Sequence, residues 1–492
     1  MCPGAGFDVV PTDLLAAHLK RRLRTATRLR LAFRAAGGSV SRGTALTMVE
    51  IPTSYYLATG QEGGEGASGP DGMSERMIWD ALDEGRDPTD VKNFWFKQPG
   101  GEIIKNHFLP LMSTDMMESL PFPQYGDGEV IYEAGVGFAP MNAQHYIEND
   151  GLSYTTLWSI GCPFHCTYCG NTKFIANDKK YKRIRHPSAR YMVDQVKDAR
   201  ARFPHLSQVS FHDDSFMAIP YGQLEEFAEL WHDELKLPFA VYGVIPNYVR
   251  QDKFELLSWA GMNRVRMGIQ SGSKNMLDFY KRPTPPEKIL NAGKVIASFA
   301  PKYHIPSAYD IIMDNPIETR DDVKATLQLL YLMDRPYTLF IYSLKVIPNT
   351  GLAAAMEERG VDLDDIDESY LAIPPRWANI MLYLIAIWRP PPWLWNRLMG
   401  RVRASSEPQK LYPRLGLVLR TAYLTKRVLA HLRVMDFSIT PGKTGYYAWK
   451  VGLVGLWQKR FTRRPQRPSR TKRAPEVKVG VQVISPDGMR DE

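Results

Sequence analysis

From Leu152 to about Val346 short apolar runs alternate with stretches whose apolar residues recur at helical spacing. Short apolar runs bounded by turn residues read as buried strands, and the longer amphipathic stretches read as helices. The candidate strands are 154–160, 208–211, 240–245, 264–269, 308–313 and 338–344. Helices fall between them, for example at 188–202 and 221–234. Alternation of this kind predicts an α/β fold with a parallel, barrel-like sheet. In parallel barrels chemistry collects at the carboxyl ends of the strands.

The flanking regions carry weaker patterns. Near the N-terminus a helix is expected over 14–23 and a strand over 27–33. Gly60 to Gly72 holds six glycines in thirteen residues and reads as a flexible linker. A short helix over 74–84 follows, and then a β-hairpin over 91–104 that turns at Pro99-Gly-Gly. Beyond the barrel, Ile380 to Trp388 is an apolar run of nine residues that ends at Arg389-Pro-Pro-Pro. It is too short to span a bilayer, and no run of roughly 18 apolar residues occurs anywhere. Trp393 and Trp395 come next, then basic-apolar helical patterns over 415–435 and 449–461. Two readings stand for this region: a mostly helical subdomain packed on the barrel, or a peripheral membrane contact in which apolar faces insert while Arg and Lys meet anionic headgroups.

The net charge of +9 changes this picture little, because it is concentrated near the C-terminus. Lys459 to Pro475 contains eight Lys or Arg residues and no acid, within a Pro-rich segment expected to be a disordered tail. The body is then near neutral, so nucleic acid is not an expected partner. Only four cysteines occur in 492 residues, and no secretory signal precedes them. Sparse cysteine usage of this sort suits a reducing, cytoplasmic compartment.

Three of those cysteines, Cys162, Cys166 and Cys169, lie within Trp158 to Gly170 (W-S-I-G-C-P-F-H-C-T-Y-C-G). The spacing C-x3-C-x2-C puts three thiolates on one tight loop. A cubane iron–sulfur cluster is normally held by four cysteine thiolates, so a three-thiolate loop leaves one iron free for a non-protein ligand. That describes a catalytic [4Fe-4S] cluster rather than an electron-transfer one. The competing reading is zinc, with His165 or a distant residue as fourth ligand. Tyr168, directly before the third cysteine, adds an aromatic able to pack beside an adenine.

On these residues the segment resembles the radical S-adenosylmethionine (SAM) superfamily. The resemblance implies a partial (β/α)6 barrel, with SAM chelating the open iron through its amino and carboxylate groups. One electron from the reduced cluster would cleave the sulfonium into methionine and a 5′-deoxyadenosyl radical that abstracts hydrogen. An electron donor such as flavodoxin or ferredoxin is then an expected partner. The satellite motifs fall at strand ends. Phe211 to Phe216 (F-H-D-D-S-F) resembles the D-D-x-F signature of B12-type radical SAM proteins. Asp213 and Asp214 there either orient substrate or SAM's amino group, or cap the following helix. Gly268 to Ser273 (G-I-Q-S-G-S) resembles a family motif that places Gly268, Gln270, Ser271 and Ser273 against SAM's ribose or carboxylate. Lys281-Arg-Pro-Thr284 offers Arg282 as a carboxylate partner. Asp314 to Thr319 (D-N-P-I-E-T) stands where relatives read G-x-P-G-E-T. The glycines are replaced by Asp314 and Ile317, which counts against close ligand approach; Glu318 and Thr319 persist, and Thr319 is expected as a helix N-cap. After strand six, 347–351 (I-P-N-T-G) resembles the family's P-G-T turn.

The chain departs from B12-type relatives upstream. The hairpin and Leu120-Pro-Phe-Pro resemble the connector that follows a cobalamin domain, but that domain needs roughly 100 to 130 residues of doubly wound α/β. Residues 1–90 do not supply it, and none of the ten histidines sits in D-x-H-x-x-G. Cobalamin binding by this chain is therefore doubtful. Gly4 to Asp13 (G-A-G-F-D-V-V-P-T-D) instead resembles an internal piece of saccharopine-dehydrogenase-like, trans-acting enoyl reductases, without their nucleotide-binding unit.

The expected organisation is a reductase-like fragment (1–59), linker and connector (60–150), radical SAM barrel (151–350), helical C-terminal region (351–458) and basic tail (459–492). The expected function is radical modification of an unactivated carbon, methyl transfer or related chemistry, on a small metabolite of unknown identity; the apolar, basic C-terminal region would suit a hydrophobic one. The alternative is a degenerate remnant that holds a cluster or zinc without turnover.

Overall fold

The structure, a computed structural model, describes residues 81, 84–98, 100–123, 130–133, 136–282, 284–303, 305–347, 350–361, 373–434 and 442–456. The expectations for 1–59, the glycine-rich linker, nearly all of the 74–84 helix and the basic tail lie outside the described residues.

Six strands form one sheet: β1 (Ser153–Thr156), β2 (Gln208–Phe211), β3 (Phe239–Val244), β4 (Met262–Gln270), β5 (Ser307–Met313) and β6 (Tyr337–Ser343). They lie in chain order and every neighbouring pair is parallel, so β1 and β6 are the two edges of an open, partial barrel. All six match the candidate strands within two residues, except that β1 stops at Thr156, well short of Ile160. The missing residues become the approach to the cysteine loop. Parallel neighbours require crossovers, and these are α1 (Asn171–Asn177) with α2 (Ala189–Arg202), α3 (Tyr221–Leu230), α4 (Gln251–Ala260), α5 (Lys274–Phe279) with α6 (Pro286–Tyr303), and α7 (Arg320–Leu332). The helix expected over 221–234 gives way at Trp231 to a single π turn that ends at Lys236, a left-handed residue (φ 54°).

Side chains on the helix side of the sheet make the core. Trp158, Phe211, Phe216, Phe227, Trp231 and Phe239 form one aromatic cluster with ring centroids 4.6–6.0 Å apart. Rings this large remove most of the apolar surface from water, and tilted or edge-on contacts suit their quadrupoles. The other face of the strands is only partly buried and lines the barrel lumen: on β6, Tyr337 and Leu339 are buried while Thr338 and Phe340 are not. This alternation follows from the two-residue period of a strand.

The hairpin over 91–104 is present, with Trp95–Lys97 antiparallel to Ile103–Lys105. The connector docks on the start of α2, where the Tyr191 hydroxyl donates to Leu120 O (2.8 Å) and Ser188 N donates to Glu118 Oε1 (2.5 Å). Sequence reasoning missed a second hairpin, Val130–Glu133 with Gly137–Pro140, and the helix Ala143–Asp150.

Beyond the barrel come α8 (Gly351–Glu357), α9 (Trp377–Ile387), α10 (Pro392–Met399), α11 (Pro413–Val434) and α12 (Gly442–Lys450). The last begins well before the expected 449–461 pattern, and Gly452 (φ 81°) follows it. The apolar run at 380–388 is α9, and its Ile380, Met381, Leu382 and Ile385 are buried. α11 runs beside the edge strand β6. There the Tyr423 hydroxyl donates to Leu339 O (2.5 Å) and accepts from Leu339 N (2.9 Å), occupying both backbone groups of an otherwise unpaired edge residue.

Candidate functional site

The cysteine loop leaves β1 under tight local control. Asp213, at the end of β2 and 2% exposed, accepts from Trp158 N (3.1 Å), Ser159 N (2.6 Å) and Ser159 Oγ (2.6 Å). Burial pushes its carboxyl up to about 7, against the opposing pull of those donors. Ile160 and Arg185 exchange backbone hydrogen bonds at 2.9 and 3.0 Å. Gly161 follows at φ 110°, where a Cβ would collide with the Arg183 and Tyr181 carbonyls. Only glycine lacks the atom that would clash. Further along, Thr167 N donates to Tyr280 O (2.9 Å) and Thr167 O accepts from Leu352 N (2.8 Å). The strand-end segments after β1, β4 and β6 therefore meet at this loop.

Cys162, Cys166 and Cys169 are free thiols, the first two buried and the third partly so. Burial pushes Cys162 up to about 11 and Cys169 to about 12, with Asp214 and the other thiols adding to it. Such thiols are protonated at neutral pH, and a coordinating metal inverts that preference. Among the described residues no three His, Cys, Asp or Glu side chains converge as they would around one ion. His165 is largely exposed, and its slight desolvation, with Lys182 and Lys281 nearby, lowers its pKa.

Arg282 sits directly behind the loop and is almost fully buried. One terminal nitrogen points at Cys166 Sγ (3.7 Å) and donates to the Tyr168 hydroxyl (3.1 Å), and the other donates to Gly268 O (2.5 Å). Its Nε has no hydrogen-bond partner. A buried cation with an unused donor, beside a cysteine sulfur, fits a site designed to hold an anionic group. Gly268 leaves the room: a Cβ there would lie 3.2 Å from Arg282 Nη2 and 2.5 Å from Gln270 Nε2. Gln270 takes φ 71° at a register shift between β4 and β5, which turns its side chain back toward Gly268 and Arg282.

Of the residues expected to bind cofactor, Tyr168, Asp214, Gly268, Gln270 and Arg282 gather at the cysteine loop. Tyr168 is partly exposed and packs edge-on against Tyr280 (5.3 Å, 89°). Asp214 accepts from the Tyr181 hydroxyl (3.2 Å), and from Asn171 and Gly161. The other three serve the scaffold. Asp213 accepts from Trp158 and Ser159 and fastens the root of the loop. Neither aspartate caps the following helix, whose N-cap is Pro220 without a side-chain bond. Ser271 Oγ pairs with Thr326 Oγ1 (2.9 Å), and Ser273 Oγ donates to Asp322 while capping α5. Both serines are buried against α7 and turned from the loop, because Gly272 lets the chain pass tightly over Ala325 and Thr326.

The glycine-to-aspartate departure at strand five also has a structural answer. Asp314 adopts φ 60°, the conformation a glycine would take. Its carboxylate is held by Arg376 Nη1 (3.0 Å), Asn379 Nδ2 (3.1 Å) and Ser343 Oγ (3.3 Å). Thr319 caps α7 in a reciprocal box with Asp322.

Sequence reasoning missed a lumen cluster one turn of pleat below these residues. Arg266 Nε donates to Asp310 Oδ1 (2.7 Å), its guanidinium also reaches the Tyr342 hydroxyl, and it lies 4.4 Å from the Phe340 ring centroid. His212 stacks on Tyr242 (4.2 Å, 14°). The signal was available: Arg266 precedes Gly268 and Gln270 at steps of two, so all share the lumen face.

Residues 157–330 match the family model described as the Radical SAM superfamily. An uncharacterised methyltransferase of Pyrococcus horikoshii, PH0819, is 22% identical over 296 residues, covering 60% of this chain and 56% of that protein. The chain thus spans about half the length of the curated relative it matches. Among solved structures, the cobalamin-dependent SAM radical enzyme OxsB is 15% identical with a TM-score of 0.48, covering 78% of this chain and 58% of that one. The radical SAM methyltransferase TsrM of Kitasatospora setae is 16% identical with a TM-score of 0.45, covering 60% and 54%.

Proposed function

We propose that the radical SAM domain of this chain, residues 157–330, holds a [4Fe-4S] cluster on Cys162, Cys166 and Cys169 and uses SAM to modify an unactivated carbon of an organic substrate, by methyl transfer or related radical chemistry. A cluster held there would supply the electron that splits the SAM sulfonium into methionine and a 5′-deoxyadenosyl radical. The observation that carries this reading is the pairing of the three-thiol loop with buried Arg282 at the carboxyl end of a parallel sheet. Arg282 offsets the charge of a Cys166 thiolate and keeps one N–H for an anionic ligand group. Tyr168 offers an aromatic edge beside it, and Gln270 a side-chain amide on the lumen side. The loop is anchored by Asp213 and by Gly161, so the thiols are positioned before any ligand arrives. Substrate would enter the lumen, where Arg266, Asp310 and Tyr342 present polar groups and the His212–Tyr242 pair a flat face. The electron would come from a carrier such as flavodoxin or ferredoxin.

The test is anaerobic reconstitution with iron and sulfide, followed by metal analysis, UV–visible spectra and an assay for 5′-deoxyadenosine, with and without added cobalamin. A brown protein that releases 5′-deoxyadenosine, and loses both properties in Cys166→Ala, is the expected result. Stoichiometric zinc without chromophore would overturn the cluster. A cluster that never cleaves SAM would favour a non-catalytic remnant.

A further inference from the structure

We propose that the outward face of α11, with Trp388 and Trp393, docks this chain on an anionic lipid surface. An ordinary surface helix turns a polar side to solvent, whereas α11 is apolar on its solvent side as well as its buried one. The side against the barrel carries Gly416 and Tyr423, both buried, with Leu419, Arg427 and Ala430 half-buried. The solvent side carries Leu417 (67% exposed), Val418 (63%), Leu424, Val428, Leu429 and Leu432. At helical spacing these six fall within an arc of about 140°. Single exposed leucines are commonplace, but six exposed apolar residues on one arc of a 22-residue helix, interrupted only by Thr421, Thr425 and, at the start, Arg414, make an interaction surface.

Charge identifies the partner. Between Pro413 and Val434 there are five Lys or Arg residues (Arg414, Arg420, Lys426, Arg427, Arg433) and no acid. By helical position Arg420 borders one side of the apolar arc, and Lys426 and Arg433 the other, while Arg427 lies over the Phe340 and Tyr423 rings on the barrel side. Lys426 Nζ donates to the Ala386 and Ile387 carbonyls (2.7 and 3.1 Å), which sets α11 beside exposed Trp388 (48%). Trp393 (67% exposed) is a second exposed tryptophan, at the start of α10. A second copy of this chain is a poor occupant: a twofold contact through α11 would set these bases against themselves with no acid to answer them. An anionic membrane surface supplies hydrocarbon for the strip, headgroups for its basic borders and the interfacial zone that Trp favours. No helix among the described residues is long and apolar enough to cross a membrane, so α11 would lie in the interface plane.

The test is co-sedimentation of the full chain with vesicles of phosphatidylcholine, alone or mixed with phosphatidylglycerol. Binding to the mixed vesicles is expected to be about tenfold or more tighter. The double variant Val418→Glu/Leu429→Glu, at exposed sites, should keep the wild-type melting temperature yet bind about tenfold or more weakly, and Arg420→Glu/Arg433→Glu should also weaken binding. Absence of binding to mixed vesicles would overturn the proposal. So would binding that disappears at high salt and ignores Val418→Glu/Leu429→Glu, because that would belong to the basic segment 459–473. A dimer in sedimentation velocity that the apolar variant breaks, without vesicle binding, would assign the face to self-association instead.

Discussion

At the scale of single residues, Asp213 and Glu318 show how one carboxylate type takes two environments. Asp213 satisfies three donors at the root of the cysteine loop. Asp213→Ala leaves those buried groups without an acceptor, and each such loss costs about 1–3 kcal/mol. We expect a drop of about 3 kcal/mol or more in urea denaturation of the cluster-free protein, together with poor cluster assembly; an unchanged midpoint would mean the latch is dispensable. Glu318 is buried, accepts only from Ser405 Oγ (3.1 Å) among side chains, and is pushed up to about 8 by that burial. The folded chain therefore binds this proton more tightly than the unfolded chain, whose carboxyl titrates near its ordinary 4.5. Its contribution is complete below pH 4.5 and is lost as pH rises through about 8. Glu318→Gln should melt like wild type near about pH 5 and above it near about pH 9, with the gap widening between. The cysteines were legible at this scale because a ligand set on one loop is a local pattern. The roles of Asp213, Ser271 and Ser273 were not, since their partners lie 49 to 55 residues away in sequence.

At the scale of elements, the six strands were legible because strands buried on the helix face and half-covered on the other leave apolar runs of distinctive length. Their ends were less so: β1 stops early because Trp158 and Ser159 bond to Asp213 instead of to a neighbouring strand. The edge strand β6 shows what packing adds. Tyr423 of α11 occupies both backbone groups of Leu339, although nothing in the periodicity of either element announces the pairing. Tyr423→Phe removes only that hydroxyl. It should cost about 1–3 kcal/mol, with the lost hydrogen-exchange protection concentrated in β6; uniform loss, or none, would contradict the assigned bonds.

At the scale of the whole molecule, Asp314 joins the barrel to the C-terminal helices. The residue keeps a glycine-like backbone while Arg376 and Asn379, at the start of α9, hold its carboxylate. Asp314→Gly preserves the turn and deletes the tether. We expect a loss of about 1–3 kcal/mol and faster exchange in α9, with the β1 loop and reconstituted iron content unchanged. Equal softening of barrel and helices would show that the two parts are held by apolar packing alone. The sequence by itself determined the α/β class, the places of the six strands and the three-thiol loop, because periodicity and ligand spacing are properties of short segments. Tertiary structure alone decided which polar residues face the site and which brace it, how an aspartate replaces a glycine, and which side of α11 meets solvent. Those outcomes depend on partners far apart in the chain, and side-chain direction is set only when the elements pack.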